Sequence, residues 1–202
     1  MPTYSTSETL LGTALAPVDL TRAVGLVLAF SLFNALAAQF SINIGPVPIT
    51  GQTFAVTLTG ALLGSRLGAA ALIAYLIEGA SGLPFFNNGL GGLGVLIGPT
   101  GGYLVSFPAA AYITGAFAEH GWDKRFWSAA LAMLIGSIVI LLTGWCWLMV
   151  LLHATPVAAF EIGVKNFIIG DIVKVIAAAA VLPTGWAILN RKASEKTEDR
   201  KP

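Results

Sequence analysis

The sequence predicts an all-α membrane protein, a bundle of six transmembrane helices with both termini in the cytoplasm. Composition, a succession of apolar segments and the placement of basic residues support this fold class. Of the 202 residues, 56% are hydrophobic and only 10% are charged, whereas an ordinary soluble domain carries about 25% charged residues. A chain this short cannot bury so much apolar surface in one aqueous core. The excess is expected to face a bilayer.

The apolar segments follow one another almost without a break. They cover residues 23–40, 49–64, 67–80, 101–118, 127–152 and 163–189. A perpendicular span needs roughly 20 residues, with ~17 as the lower limit, so the second and third segments are short. Ser65 and Arg66 separate these two. Gly60 and Gly64 form a GxxxG pattern, which is typical of closely packed membrane helices.

The basic residues predict the orientation, because cytoplasmic connections carry an excess of Lys and Arg. With six spans, nine of the eleven basic residues fall on one side: Arg22, Arg66, Lys124, Arg125, Arg191, Lys192, Lys196, Arg200 and Lys201. We therefore expect three regions: a polar N-terminal segment (1–21), a membrane domain (22–190) and a charged, disordered cytoplasmic tail (191–202). Segment 1–21 lacks Lys and Arg, so it does not resemble a secretory signal, and the first span is expected to be retained. The expected location is a cell membrane.

Several classes of function are disfavoured. The net charge of +1 gives no basis for nucleic-acid binding, and a lone Cys146 gives no disulfide framework. His120 and His153 fall at opposite membrane faces, so neither a metal site nor a cofactor is expected. Residues 89–94 match GxGxxG, but a dinucleotide site needs a βαβ unit around that pattern. The sequence contains no P-loop and is not expected to bind ATP itself.

Two connections on the outer side are rich in Gly and Pro and are the first candidate binding region. Non-helical backbone at membrane depth is tolerated where it lines a cavity. The connections 45–52 and 82–103 mix aromatic rings with amides and hydroxyls, which suits a ligand with an apolar body and a polar head. The candidate contacts are Thr50, Gln52, Phe85, Asn87, Asn88 and Tyr103. Ordered turns without a ligand are the alternative.

The last span carries two ionisable residues three positions apart, Asp171 and Lys174. At ~1.5 Å per residue Lys174 lies roughly 16 Å beyond Gly163, near mid-bilayer. Charges at that depth are costly and usually face a cavity, the bundle interior or a partner. The two residues share a helix face and are close enough to pair. They predict a ligand contact, with a structural ion pair as the alternative. Glu78, at the outer end of the third span, either lines the pocket or lies at the interface.

Four motifs occur in one order: PVPITGQ (46–52), GLPFF (82–86), GPTGGY (98–103) and GDIVK (170–174). This combination closely resembles the BioY family, the biotin-specific substrate-capture (S) components of energy-coupling factor (ECF) transporters. The resemblance covers about residues 20–190. It implies six membrane helices, a vitamin site near the outer face, a transmembrane coupling (T) component and two ATP-binding-cassette ATPases. S components often carry Ala-xxx-Ala on the first helix, where the coupling protein docks. Here Phe33 follows Ala29, and the nearest small pair is Ser31 with Ala35.

Biotin matches the candidate residues chemically. Its ureido ring has two N–H donors, which Asp171 could accept, and a carbonyl to which Lys174, Asn87 or Asn88 could donate. Phe85, Phe86 and Tyr103 could pack on the bicycle. Three alternatives stay open: an S component for another vitamin, a solitary secondary transporter, and an intramembrane enzyme. An enzyme is disfavoured because no nucleophile–base or metal–carboxylate set occurs at one depth.

Overall fold

The structure, a computed structural model, describes residues 9–15, 18–43 and 45–198. Its helices are α1 (Leu10–Ala14), α2 (Leu20–Gln39), α3 (Gln52–Leu63), α4 (Ser65–Ala80), α5 (Leu93–Leu96), α6 (Gly101–Glu119), α7 (Phe126–Leu151), α8 (Pro156–Gly163) and α9 (Ile168–Glu198). Two short strands, β1 (Ser41–Ile42) and β2 (Ile49–Thr50), pair antiparallel between α2 and α3. Short 3₁₀ turns cover residues 87–89, 122–124 and 165–167. The architecture is helical, as predicted.

Three stretches of the described chain are helical, long and apolar enough to cross a membrane. They are Leu20–Gln39, Phe126–Leu151 and Pro156–Arg191, while Gln52–Leu63 is a shorter apolar helix. The first two correspond closely to the predicted segments 23–40 and 127–152. The third combines α8, a 3₁₀ turn and α9. The chain is therefore a helical membrane protein, and its shorter helices pack among these three.

The second and third predicted segments form two separate helices, α3 and α4, which meet at Gly64. Gly64 has φ +85°, a backbone conformation that L side chains rarely adopt. The carboxylate of Glu119, at the end of α6, then accepts hydrogen bonds from the backbone N–H of Ser65 (2.7 Å) and from its hydroxyl (2.9 Å). An acceptor at this position satisfies donors that every helix start leaves unpaired. The chain thus reverses between α3 and α4.

Helix α6 packs against α3, α4 and α7, and α9 packs against α7 and α3. Small residues allow the close approach of α3 to α6. A Cβ atom added to Gly60 would collide with the carbonyl oxygen of Ala111 on α6, and one added to Gly115 would meet the backbone at Gly64. The GxxxG pair Gly60–Gly64 is therefore a packing feature, as its spacing suggests.

At the end of the bundle opposite the β-hairpin, Asp123 joins the α6–α7 connection to α9. Its Oδ2 accepts a hydrogen bond from Nε1 of Trp186 (2.6 Å), and Nζ of Lys124 lies 5.1 Å from the Trp186 ring centroid. Helix α9 continues through Glu198, so the expected disordered tail from residue 191 is helical over its described part. Residues 199–202 lie outside the described residues.

Candidate ligand-binding site

A cavity opens at the hairpin end of the bundle, between the two Gly/Pro-rich connections, the first part of α6 and the middle of α7. About 420 Å³ of empty space lies between its lining residues, including the open mouth. Its walls are mostly apolar with a few hydroxyls and amides. The lining residues are Val47, Pro48, Thr50, Gln52, Thr53, Asn87, Thr100, Tyr103, Leu104, Phe107, Ile140, Leu141 and Phe167.

The hairpin supplies Thr50 and Gln52 to one wall. The Thr50 hydroxyl donates to Oε1 of Gln52 (3.0 Å), and Nε2 of Gln52 donates to the hydroxyl of Tyr75 on α4 (2.7 Å). Tyr75 in turn donates to the carbonyl oxygen of Phe85 (3.2 Å). This chain of bonds ties the hairpin, α4 and the 82–89 connection together. Gln52 is therefore largely committed to protein partners, whereas Thr50 can also turn toward the cavity.

The connection after α4 places its two asparagines differently. Asn87 lines the cavity, and no hydrogen-bond partner of its side-chain amide is found among the described residues. Asn88 is in the left-handed region at φ +57° and is exposed. Its amide donates to Oδ1 of Asn43 (3.2 Å) and its Oδ1 accepts from the Ser41 hydroxyl (3.1 Å). Asn87 is thus available to a ligand, and Asn88 fastens the connection to the hairpin.

The two phenylalanines of this connection also differ in their positions. Phe86 is fully buried; its ring lies edge-on to Tyr75 (centroids 5.6 Å apart) and occupies the space that a Cβ on Gly79 would need. Phe85 is half-buried and does not line the cavity. Gln39 holds the backbone here, because its amide donates to the Phe86 carbonyl oxygen and its Oε1 accepts from the Gly89 N–H. The aromatic walls of the cavity come instead from Tyr103, Phe107 and Phe167.

Tyr103 joins three elements at the cavity wall. Its hydroxyl donates to the carbonyl oxygen of Gly163 at the end of α8 (2.7 Å), and its ring stacks on Phe167 with centroids 6.0 Å apart. A Cβ on Gly144 of α7 would collide with the Tyr103 ring. A Cβ on Gly163 would collide with the Tyr103 hydroxyl in the same way, so both Gly144 and Gly163 leave space that this tyrosine occupies. Phe167 and Phe107 were not predicted as lining residues.

Asp171 and Lys174 form the predicted ion pair, with Nζ of Lys174 at 3.2 Å from Oδ1 of Asp171. Asp171 is only 5% exposed. Oδ1 also accepts from the hydroxyl of Thr53 on α3 (2.9 Å), and Oδ2 accepts from the hydroxyl of Ser137 on α7 (2.6 Å). Lys174 donates to Thr53 as well (3.0 Å). The pair is thus embedded in a four-residue polar cluster that joins α3, α7 and α9.

Thr53 connects this polar cluster to the cavity, because it lines the cavity while Asp171 and Lys174 do not. Of the eight predicted contacts, Thr50, Gln52, Asn87 and Tyr103 line the cavity. Asp171 and Lys174 lie directly behind Thr53, and Phe85 and Asn88 lie outside the lining. Sequence reasoning missed Thr53 and Ser137. The position of the Ser137 hydroxyl in the middle of a long apolar helix could have indicated Ser137, whereas no such signal marks Thr53, which shares α3 with two other threonines.

Glu78 does not line the cavity. It receives a hydrogen bond from the buried hydroxyl of Ser31 on α2. Ser31 and Ala35, the small pair noted on the first helix, are both buried and face the bundle. The exposed small pair is instead Gly25 with Ala29, and a Cβ added to Gly25 would meet no atom within 4 Å.

Fold and site together define a class: a helical membrane protein with a cavity at one end and a buried charged pair behind the wall of that cavity. The model of the BioY family matches residues 6–191. The chain belongs to the BioY family.

Curated relatives and a solved structure are similar to this chain. The probable biotin transporter BioY of Pyrococcus horikoshii is 42% identical over 161 residues, 80% of this chain and 93% of that protein. The biotin transporter BioY of Thermotoga maritima is 36% identical over 152 residues, 75% of this chain and 88% of that protein. The crystal structure of an S-component for biotin from an ECF-type ABC transporter superposes with a TM-score of 0.74 at 23% identity. It covers 81% of this chain and 90% of that chain, and it supports the fold.

Proposed function

We propose that this chain is the biotin-binding S component of an ECF-type transporter, with no enzymatic activity of its own. The observation that carries the proposal is the cavity at the hairpin end with the Asp171–Lys174 pair directly behind Thr53. Membership in the BioY family and the relatives' names support biotin as the ligand. The ligand enters from outside the cell, and partner ATPases supply the energy.

In this proposal the ureido ring of biotin points toward the polar cluster. Asp171 accepts from one of the ureido N–H groups, and Lys174 donates to the ureido oxygen. The amide of Asn87 and the hydroxyls of Thr50 and Thr100 remain for the other polar groups of the ligand. Tyr103, Phe107 and Phe167 cover its apolar body, an arrangement typical of small-molecule sites.

We further propose six membrane crossings, made by α2, α3, α4, α6, α7 and α9. Both termini then lie in the cytoplasm of a prokaryotic cell, and the hairpin end faces outward. The placement of nine basic residues on the opposite side supports this orientation. The T component docks on the exposed face of α2 that carries Gly25 and Ala29, where small residues permit close helix approach. Two ABC-type ATPases complete the transporter.

Ligand identity is tested by calorimetry on the purified protein in detergent. Biotin should bind tightly, and neither riboflavin nor thiamine should compete, because neither has the compact ring of biotin with two N–H groups flanking one carbonyl. If the protein binds another vitamin and gives no heat with biotin, the fold assignment would stand and biotin would be the wrong ligand. A protein that binds none of the three would favour a different class of transport protein.

A further inference from the structure

Two hydroxyls, one from α3 and one from α7, hold the charged pair of α9. Both carboxylate oxygens of Asp171 have donors: Oδ1 accepts from Thr53 and Lys174, and Oδ2 accepts from Ser137. Charge-assisted hydrogen bonds of this kind are stronger than neutral ones. The orientation of Asp171 is therefore set by side chains that lie 118 and 34 positions away in sequence.

The two hydroxyls differ in their access to the cavity. Ser137 is 2% exposed and does not line the cavity, so no ligand can take its place beside Oδ2. Thr53 is half-buried and lines the cavity wall. A ligand that enters the cavity meets the Thr53 side chain before it meets the charged pair.

The Thr53 hydroxyl presents one donor and one acceptor to the pair. It donates to Oδ1 of Asp171 (2.9 Å) and accepts from Nζ of Lys174 (3.0 Å). The edge of a cyclic urea offers the same combination, an N–H donor beside a carbonyl acceptor. A ureido ligand can therefore replace both hydrogen bonds of Thr53 without leaving either charged group unpaired, which would be costly in a membrane.

From these contacts we infer that Ser137 is a positioning residue for Asp171 and that the Thr53 hydroxyl is a placeholder which a urea-like ligand displaces. Ser137 holds Oδ2 of Asp171 in both states, so that Oδ1 stays on the side of Thr53. Thr53 satisfies Asp171 and Lys174 only while the cavity is empty. The displacement step rests on the proposed function, since it requires a ligand with adjacent N–H and carbonyl groups.

A ligand-free measurement tests the positioning role. The chain contains only four aspartates, so protein labelled with ¹³C at the aspartate carboxyl carbon gives few signals, and Asp171→Asn identifies one of them. Ser137→Ala and Thr53→Val should each shift the Asp171 signal. Two matched controls should leave it in place: Ser128→Ala on α7, whose hydroxyl bonds to Trp122, and Thr184→Val on α9, whose exposed hydroxyl bonds to its own helix. An unmoved Asp171 signal in Ser137→Ala overturns the inference.

Biotin titrations of the same variants test the placeholder, because the two substitutions should act in opposite directions. Ser137→Ala should weaken binding by about tenfold, the size expected for one hydrogen bond to a charged group. Thr53→Val should bind as tightly as the parent or severalfold more tightly, because no hydroxyl has to be displaced. Thr184→Val and Ser128→Ala should bind like the parent. Weaker binding by Thr53→Val would make Thr53 a direct ligand contact and end the placeholder role.

A double variant separates positioning from general damage to the fold. In an Asp171→Asn background, Ser137→Ala should change biotin affinity by less than about twofold, because residues that act through one partner are not additive. A further tenfold loss in that background would contradict the positioning role. If the parent itself fails to bind biotin, the proposed function fails, and the carboxyl signal alone then decides whether Ser137 and Thr53 hold Asp171.

Discussion

Asp171 and Lys174 are the residues on which the chemistry of the site depends most directly. Asp171→Asn keeps the side-chain shape and removes the charge. Because hydrogen bonds to charged groups contribute roughly 1.5–3 kcal/mol, biotin should bind about tenfold more weakly or worse. Lys174→Met leaves the Asp171 charge without its cation, so both affinity and thermal stability should fall. Calorimetry and a melting curve in detergent measure the two effects.

The combined change Asp171→Asn with Lys174→Met distinguishes binding from scaffolding. A neutral pair can replace a purely structural ion pair with little loss of stability. We expect the double variant to regain melting temperature while biotin affinity stays poor. If the double variant melts and binds like the parent, the pair has only a structural role, and the ligand must bind entirely on the hairpin side of Thr53.

Between helices, the contact of α3 with α6 depends on a glycine without a side chain. Gly60→Ala should lower the melting temperature, because the added Cβ collides with the Ala111 carbonyl oxygen, and overpacking costs typically about 1–3 kcal/mol. Gly25→Ala on α2 is the matched control, since its Cβ would meet no atom within 4 Å. Alanine favours a helix over glycine by roughly 1 kcal/mol, so the control should be neutral or stabilising. Equal melting temperatures for the two variants would refute the close contact.

Asp123, in the connection between α6 and α7, is expected to make the free energy of unfolding depend on pH. Burial raises the pKa of Asp123, against smaller lowering effects of the Trp186 hydrogen bond and of Lys124. A raised pKa favours the neutral acid in the folded state. Its contribution to stability is therefore full below the unfolded-state pKa of about 3.9 and is lost as pH rises through the higher folded value.

Comparison of the parent with Asp123→Asn measures this contribution. Asparagine cannot ionise, although its Oδ1 can still accept from Nε1 of Trp186. The melting temperature of the parent should therefore fall relative to that of the variant as pH is raised from about 4. A temperature difference that stays constant over this range would show that Asp123 does not titrate differently on folding.

Hydrophobic segment lengths predicted most helices to within a few residues, because a bilayer requires apolar runs of fixed length. Helix α8 was not predicted, since it is a short helix at the start of an apolar run that continues into α9. The capping of α4 by Glu119 was also missed. That contact joins Ser65 and Glu119, which lie 54 positions apart in the sequence. A local sequence pattern does not predict a contact between residues so far apart.

Taken as a whole, the chain has a candidate ligand site and its sequence contains no P-loop, so it is expected to need partners for uptake against a gradient. Liposomes that contain the purified chain alone should not accumulate biotin when ATP is supplied. Liposomes that also contain a T component and two ATPases should do so. Accumulation by the chain alone, driven by an ion gradient, would instead make it a secondary transporter.

The proposed orientation makes a separate prediction about the whole chain. In a Cys146→Ser background, Ile42→Cys in β1 should react with a membrane-impermeant thiol reagent on intact cells. Arg66→Cys at the start of α4 should react only after the cells are opened. Both native side chains are exposed, so access to the reagent depends on the side of the membrane. The reverse pattern would invert the topology.

The candidate site was only partly predictable from the sequence. Gly/Pro-rich connections indicated Thr50, Gln52, Asn87 and Tyr103, all of which line the cavity. Sequence spacing also predicted the Asp171–Lys174 pair, because residues three apart share a helix face. The partners of that pair come from other helices, and their contribution depends on how three helices pack. Composition alone could not separate Asn87, which faces the cavity, from its neighbour Asn88.

The contact between Tyr103 and α8 has a consequence for how this sequence can vary through evolution. Tyr103 binds α8 through a backbone carbonyl oxygen, which every amino acid supplies. Selection on this cavity wall should therefore act on Tyr103, Gly144 and Gly163, whose substitution removes the hydroxyl or fills the space it needs. The exposed positions of α8, such as Val157, are free to drift among orthologues as long as the helix forms.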